Sequence, residues 1–184
     1  MSKTSGYYLK SIFFVLFIIS LISCAKMVSL EPEHVPLEKS YKKIILQKFE
    51  VGKELEKEFP EAIVVCESTT MSELLEKNAA PVIEKTRLSS SKEANALIVK
   101  IRITTIKMAS SSSRGVSGEF TGRSEMSAEV KLIDAQTRKI LRKDNLSTAN
   151  ILSPASRAAI PERAIPAELG KMIAEYIVRS IAGS

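Results

Sequence analysis

Two stretches of the chain alternate strictly between apolar and polar positions. In one, Leu97, Val99, Ile101 and Ile103 point one way while Lys100, Arg102 and Thr104 point the other; in the second, Met126, Ala128, Val130 and Leu132 alternate with Glu125, Ser127, Glu129 and Lys131. A period of two sends successive side chains to opposite faces, so each stretch predicts a strand with one core face and one wet face. Paired side by side, they would set a basic outer row next to an acidic one, and such cross-strand pairs contribute roughly 0.2 to 1 kcal/mol each. A different period closes the chain. Ile165, Leu169, Met172, Ile173, Tyr176, Ile177 and Ile181 fall on one stripe of a 3.6-residue helix, opposite Glu168, Lys171, Glu175 and Arg179. Pro166 suits its first turn, Glu175 and Arg179 form an i,i+4 pair, and Gly183 suits its stop.

The remaining pattern is weaker. Lys42 to Phe49 is rich in β-favouring residues and ends at Val51-Gly52, which predicts the first strand. Apolar Ile63, Cys66, Leu74 and Leu75 behind Pro60 predict a helix from about Pro60 to Asn78. The β-branched run Ile63-Val64-Val65 leaves open a short strand at 62–66, followed by a helix started by the capping-box sequence Thr70-Met71-Ser72-Glu73. Val82 to Thr86 is a short second strand between Pro81 and Ser89-Ser90-Ser91, and Lys139 to Ala149 returns as a fifth after a turn at Asp134 to Lys139. A loop with Pro154 and Pro161 precedes the last helix. The expected fold is α+β: a largely antiparallel five-stranded sheet with helices packed on one face, in the order β-α-β-β-β-β-α.

Little of this carries chemistry. The segment Ala109 to Arg123 contains four consecutive serines with Gly115, Gly118 and Gly122, but no Lys-Ser/Thr pair opening a helix, as a phosphate-cradling loop requires. It reads as a hairpin tip, with Arg114 and Phe120 as candidate partner contacts. Cys66 sits in an apolar patch beside Glu67 rather than beside a cation, so it reads as a packing residue. The single histidine, His34, has no second ligand near it in sequence. The expectation is no catalytic residues, no metal, no cofactor and no enzyme activity; a hydrolase would need a base other than histidine, and no paired constellation offers one.

The N-terminus changes the picture. Lys3 and Lys10 precede Ile12 to Ile22, an almost purely apolar run of 11 residues, too short to span a bilayer core that takes about 20 helical residues. The run ends in Leu21-Ile22-Ser23-Cys24, which resembles the lipobox of bacterial lipoproteins. That resemblance implies acylation of the Cys24 thiol and cleavage between Ser23 and Cys24. Ala25 after the cysteine implies sorting to the outer membrane, with the domain facing the periplasm. An ordinary signal cut after Ala25 and an uncleaved anchor are the other readings of the same stretch. The domain plan is residues 1–23 as signal peptide, 24–40 as a lipidated tether rich in Pro and Glu, and 41–184 as one periplasmic domain. Sixteen steps from Cys24 reach at most about 55 Å.

Composition adds limits. Of 184 residues, 161 remain after the signal, enough for one domain. The formal charge of +6 falls to +4 when Lys3 and Lys10 leave, and with no Trp there is no stacking platform, so nucleic acid is not an expected partner. With Cys24 acylated, Cys66 is the only thiol left and no internal disulfide can form.

From Tyr41 to Ile181 the chain resembles the uncharacterised bacterial lipoprotein family known as domain of unknown function four thousand four hundred and ten. The matching features are Tyr41-Lys42-Lys43-Ile44, Phe59-Pro60-Glu61, Asn95-Ala96-Leu97, the Asp134 to Lys139 turn and the C-terminal helix. More distantly, the element order is similar to the periplasmic domain shared by the curli secretion channel lipoprotein and the activator lipoprotein of penicillin-binding proteins. Where those relatives usually have Thr-Gly in the turn, this chain has Thr137-Arg138. The expected partners are the bilayer, through acylated Cys24, and an envelope protein, with a homo-oligomer or a subunit of a secretion complex as the alternative.

Overall fold

The computed structural model describes residues 36–87, 92–108, 124–151 and 161–181, excepting the side chains of 150 and 151. Strand β1 is Lys43–Gln47, a run of aliphatic residues that becomes buried on both faces. The chain then kinks at Lys48 and Phe49 and resumes as the two-residue β2, Glu50–Val51. The strand expected as one piece therefore comes in two. At the kink the Phe49 N–H donates to Glu67 Oε1 at 3.2 Å instead of to a strand, which keeps a buried amide satisfied.

A short helix, α1 (Lys53–Glu58), leads into α2, Pro60–Glu76. Proline loses nothing in the first turn, where its missing N–H has no intrahelical acceptor. Residues 62–66 are helical, which settles the two readings of Ile63-Val64-Val65: tertiary burial of Ile63, Cys66, Thr70 and Leu74 outweighs the modest β preference of that run. The helix stops as expected at Asn78, whose φ of 48° reverses the chain. There Ala79 N donates to Leu74 O and Asn78 N to Leu75 O, the paired bonds of a Schellman stop.

Strands β3 (Val82–Thr86), β4 (Ala96–Lys107), β5 (Glu125–Asp134) and β6 (Ile140–Ser147) complete the sheet. A single helical turn, α3 (Thr148–Ile151), follows. The last helix, α4, spans Ile165–Ile181, the full extent of the predicted stripe. The spatial order is β3-β1-β4-β5-β6, with β2 beside β4. Long antiparallel ladders join β4 to β5 and β5 to β6, while β1 lies parallel to both β3 and β4. The fold is thus α+β with a mostly antiparallel sheet of six strands. The β1–β3 pair is parallel because helices connect the two strands, the crossover that parallel neighbours need.

The core lies on the helix side. Ile44, Leu46, Leu97, Val99, Ile101, Met126, Val130 and Leu132 of the sheet meet Cys66 and Leu74 of α2 and Leu169, Ile173 and Ile177 of α4. Helices α2 and α4 approach closely at Gly170, where an added Cβ would stand 2.7 Å from the Cys66 carbonyl oxygen. Thr70 Oγ1 donates to the carbonyls of Cys66 (2.9 Å) and Gly170 (3.2 Å), tying the helices together. On the opposite side of the sheet, Ile45, Ala96, Ile98 and Ala135 form a smaller cluster. The wet face of β4 therefore begins only at Lys100.

The packed body takes in residues of the expected tether. Leu37 is buried in the core and its N–H donates to the Ser180 carbonyl at 2.7 Å.

Candidate functional site

Among the described residues, a dense polar cluster surrounds Asp134 at the end of β5. Its Oδ1 accepts from the N–H of Gln136 (3.0 Å), the N–H of Thr137 (2.8 Å) and Thr137 Oγ1 (3.0 Å). Its Oδ2 accepts from Lys39 Nζ at 2.9 Å and Tyr41 Oη at 3.1 Å. The Lys39 ammonium foremost, then the Thr137 amide, holds this carboxyl well below the usual carboxylate range. Burial, with the neighbouring carboxylate, pushes the Tyr41 phenol up to about 12. A carboxylate with five donors on two oxygens has no lone pair poised to take a proton from a substrate. The cluster is a clamp that closes the β5–β6 turn and fastens the chain before β1 to it. Asp134 is a turn former, as the sequence suggests; Lys39 and Tyr41 carry no local signal for their part, being more than ninety residues away.

Two further polar groups in the helix layer are equally committed. Glu67 pairs with Lys85 at 2.9 Å while accepting from Phe49 N. Tyr176 Oη donates to Asp144 Oδ2 at 2.6 Å, and burial foremost drives its phenol far above its ordinary value. Burial, then Glu67, pushes the Cys66 thiol up to about 12. A thiol held protonated and fully covered is a packing residue rather than a nucleophile.

The outer sheet face carries the charges. Arg102 stands opposite Glu129 and Lys107 opposite Glu125, as the alternation predicts, but Lys100 faces Lys131, which in turn faces Lys143. Like charges directly opposite destabilise a sheet, and two glutamates offset this row. Glu129 bonds Lys131 (2.8 Å) and Lys143 (2.7 Å), which hold its carboxyl down at about 2. Glu50 bonds Lys100 (2.8 Å) and Arg102 (3.2 Å), Lys100 foremost lowering it. At the other edge of the face, Lys43 bridges Glu84 and Glu93 at 2.8 and 3.0 Å.

Ser23, Cys24, His34, Arg114 and Phe120 lie outside the described residues. Among the described residues, no three His, Cys, Asp or Glu side chains are placed to hold a metal ion, and no helix is long and apolar enough to cross a membrane.

The family described as domain of unknown function (DUF4410) matches residues 25–183. The chain belongs to this family. No curated protein matches the DUF4410 chain. Among solved structures it is similar to the hypothetical protein CT253 from Chlamydia trachomatis, at 11% identity and a TM-score of 0.50, covering 79% of this chain and 100% of that one. A PelC dodecamer from Paraburkholderia phytofirmans has 12% identity and a TM-score of 0.48, covering 78% and 92%. Protein XCC0632 from Xanthomonas campestris has 8% identity and a TM-score of 0.48, covering 81% and 93%. At these identities the likeness to CT253 is one of fold.

Proposed function

We propose that this DUF4410 protein is a bacterial lipoprotein of the outer membrane, acylated at Cys24, whose periplasmic domain is a non-enzymatic module that binds another envelope protein. The observation that carries the reading is Leu21-Ile22-Ser23-Cys24 at the end of an 11-residue apolar run behind Lys3 and Lys10. The domain's side chains support it. Asp134, Glu67 and Asp144 each spend their carboxylate on a hydrogen bond that holds elements together, and Cys66 is covered. Such groups stabilise a scaffold; none is poised for proton transfer.

Metabolic labelling with a fatty-acid analogue should tag the wild-type chain and leave Cys24→Ala unlabelled; equal labelling of both would falsify the acylation. Crosslinking in intact cells addresses the partner. The interaction reading fails if only lipid and further copies of this chain are recovered.

A further inference from the structure

Just before β1, residues Leu37 to Tyr41 lie across the body without joining a helix or strand. Their side chains alternate: Leu37 and Tyr41 are buried and Lys39 is half-buried, while Pro36, Glu38 and Ser40 are exposed. The parallel ladders of the sheet begin only at Lys43. What this segment touches comes from late in the chain. The Ser180 carbonyl accepts from Leu37 N–H at 2.7 Å, and Asp134 accepts from Lys39 and Tyr41.

The groups it meets are ones that water can serve in its place. Asp134 divides its two oxygens: Oδ1 closes the β5–β6 turn through Gln136 and Thr137, and only Oδ2 serves Lys39 and Tyr41. The Ser180 carbonyl lies in the last turn of α4, where carbonyls lack an intrahelical donor. With the segment lifted away, Oδ2, this carbonyl and the Lys39 ammonium, whose side chain is already 39% exposed, would each face solvent rather than be orphaned in the interior. The antiparallel ladders, and the packing of α4 on the sheet through Leu169, Ile173 and Ile177, use none of its bonds. Burial of Leu37 and the Tyr41 ring favours the docked state. A segment attached this way opens by itself, at less cost than global unfolding.

We propose that Leu37 to Tyr41 is a releasable strap, which docks on Ser180 and Asp134 and leaves them while the sheet stays folded. Release moves the first docked residue from Leu37 to Lys42. The contour back to Cys24 then grows from 13 residue steps to 18, or from at most about 45 Å to at most about 60 Å. The strap rests on these contacts alone; its consequence for reach rests on the acylation proposed above.

Thiol labelling of the full chain in detergent, without denaturant, tests it. Leu37→Cys places a reporter in the strap, and Cys66, at 0% exposure, reports opening of the core. Modified peptides are followed by mass spectrometry after addition of a maleimide. The Leu37→Cys thiol should react at least about tenfold faster than Cys66, and at least about tenfold slower than the thiol of a separate Ser40→Cys chain. Adding Lys39→Met or Tyr41→Phe removes one donor to Oδ2 and leaves the Oδ1 bonds in place. Each should speed the Leu37→Cys thiol several-fold with Cys66 unchanged. The strap is overturned if the Leu37→Cys thiol reacts at the rate of Cys66, if it reacts as fast as Ser40→Cys, or if neither added substitution separates it further from Cys66. Reaction at Cys24 in the same spectra would refute the acylation, and with it the change in reach, without touching the strap.

Discussion

At the scale of single residues, Asp134 and Arg138 show how one turn can hold both a large gain and a small cost. Replacing Asp134 by Ala would remove the acceptor that serves the Tyr41 hydroxyl and the amide N–H groups of Gln136 and Thr137, together with the carboxylate that pairs with the Lys39 ammonium. The expected loss is about 2 kcal/mol or more, measured by urea unfolding at neutral pH. The same carboxylate makes stability depend on acid. Its folded proton affinity is depressed, so at low pH the unfolded chain binds more protons and stability rises with pH. The contribution is complete above the unfolded value near pH 4 and drains away as pH falls through the lower folded value. Asp134→Asn should flatten the stability profile below about pH 4; an unchanged slope there contradicts the clamp. Arg138, at φ 62°, occupies a conformation that costs a side chain about 1 kcal/mol and glycine little. Arg138→Gly should therefore raise the midpoint of thermal unfolding, and a lowered midpoint would mean that the guanidinium's own contacts outweigh the backbone strain.

Among the elements, α2 and α4 approach closely at Gly170. A methyl group there would press on the Cys66 carbonyl and on Thr69 Cβ at 2.8 Å, both held by the helix and unable to swing aside. Overpacking of this kind costs typically about 1 to 3 kcal/mol, so Gly170→Ala should lower the urea midpoint with no change in its steepness. Local periodicity made the elements readable. Strands β4 and β5, and α4 end to end, follow from the period of their apolar residues, because most of those residues face one core; β3 and β6 were legible instead from the turn residues that flank them. Periodicity misled where a residue is buried for a reason outside its own element. Ile98 belongs to a wet face by alternation yet lies in the second apolar cluster. Ile63-Val64-Val65 looks strand-like because Val64 and Val65 are apolar on a face that the core does not use.

Across the whole molecule, what the sequence could not show is which strands become neighbours. Lys39 and Tyr41 reach Asp134, and Glu67 reaches Phe49, across separations at which no local pattern survives. The placement of β1 between β3 and β4 likewise depends on the crossover through α1 and α2 rather than on its own residues. The candidate sites divide in the same way. The proposed lipidation site, Cys24, is legible because its motif is four adjacent residues, Leu21 to Cys24, whereas the Asp134 clamp joins residues more than ninety positions apart. The position of β1 also has a mechanical side. The N-terminal segment is joined directly to a strand that is hydrogen-bonded on both flanks, by Lys43 to Gln47 against Val82 to Thr86 and by Lys43 to Leu46 against Ala96 to Val99. A pull along that segment would first peel Leu37 from Ser180, then strain Lys39 and Tyr41 against Asp134, and only then load the two parallel ladders, whose bonds would share the force rather than unzip one at a time.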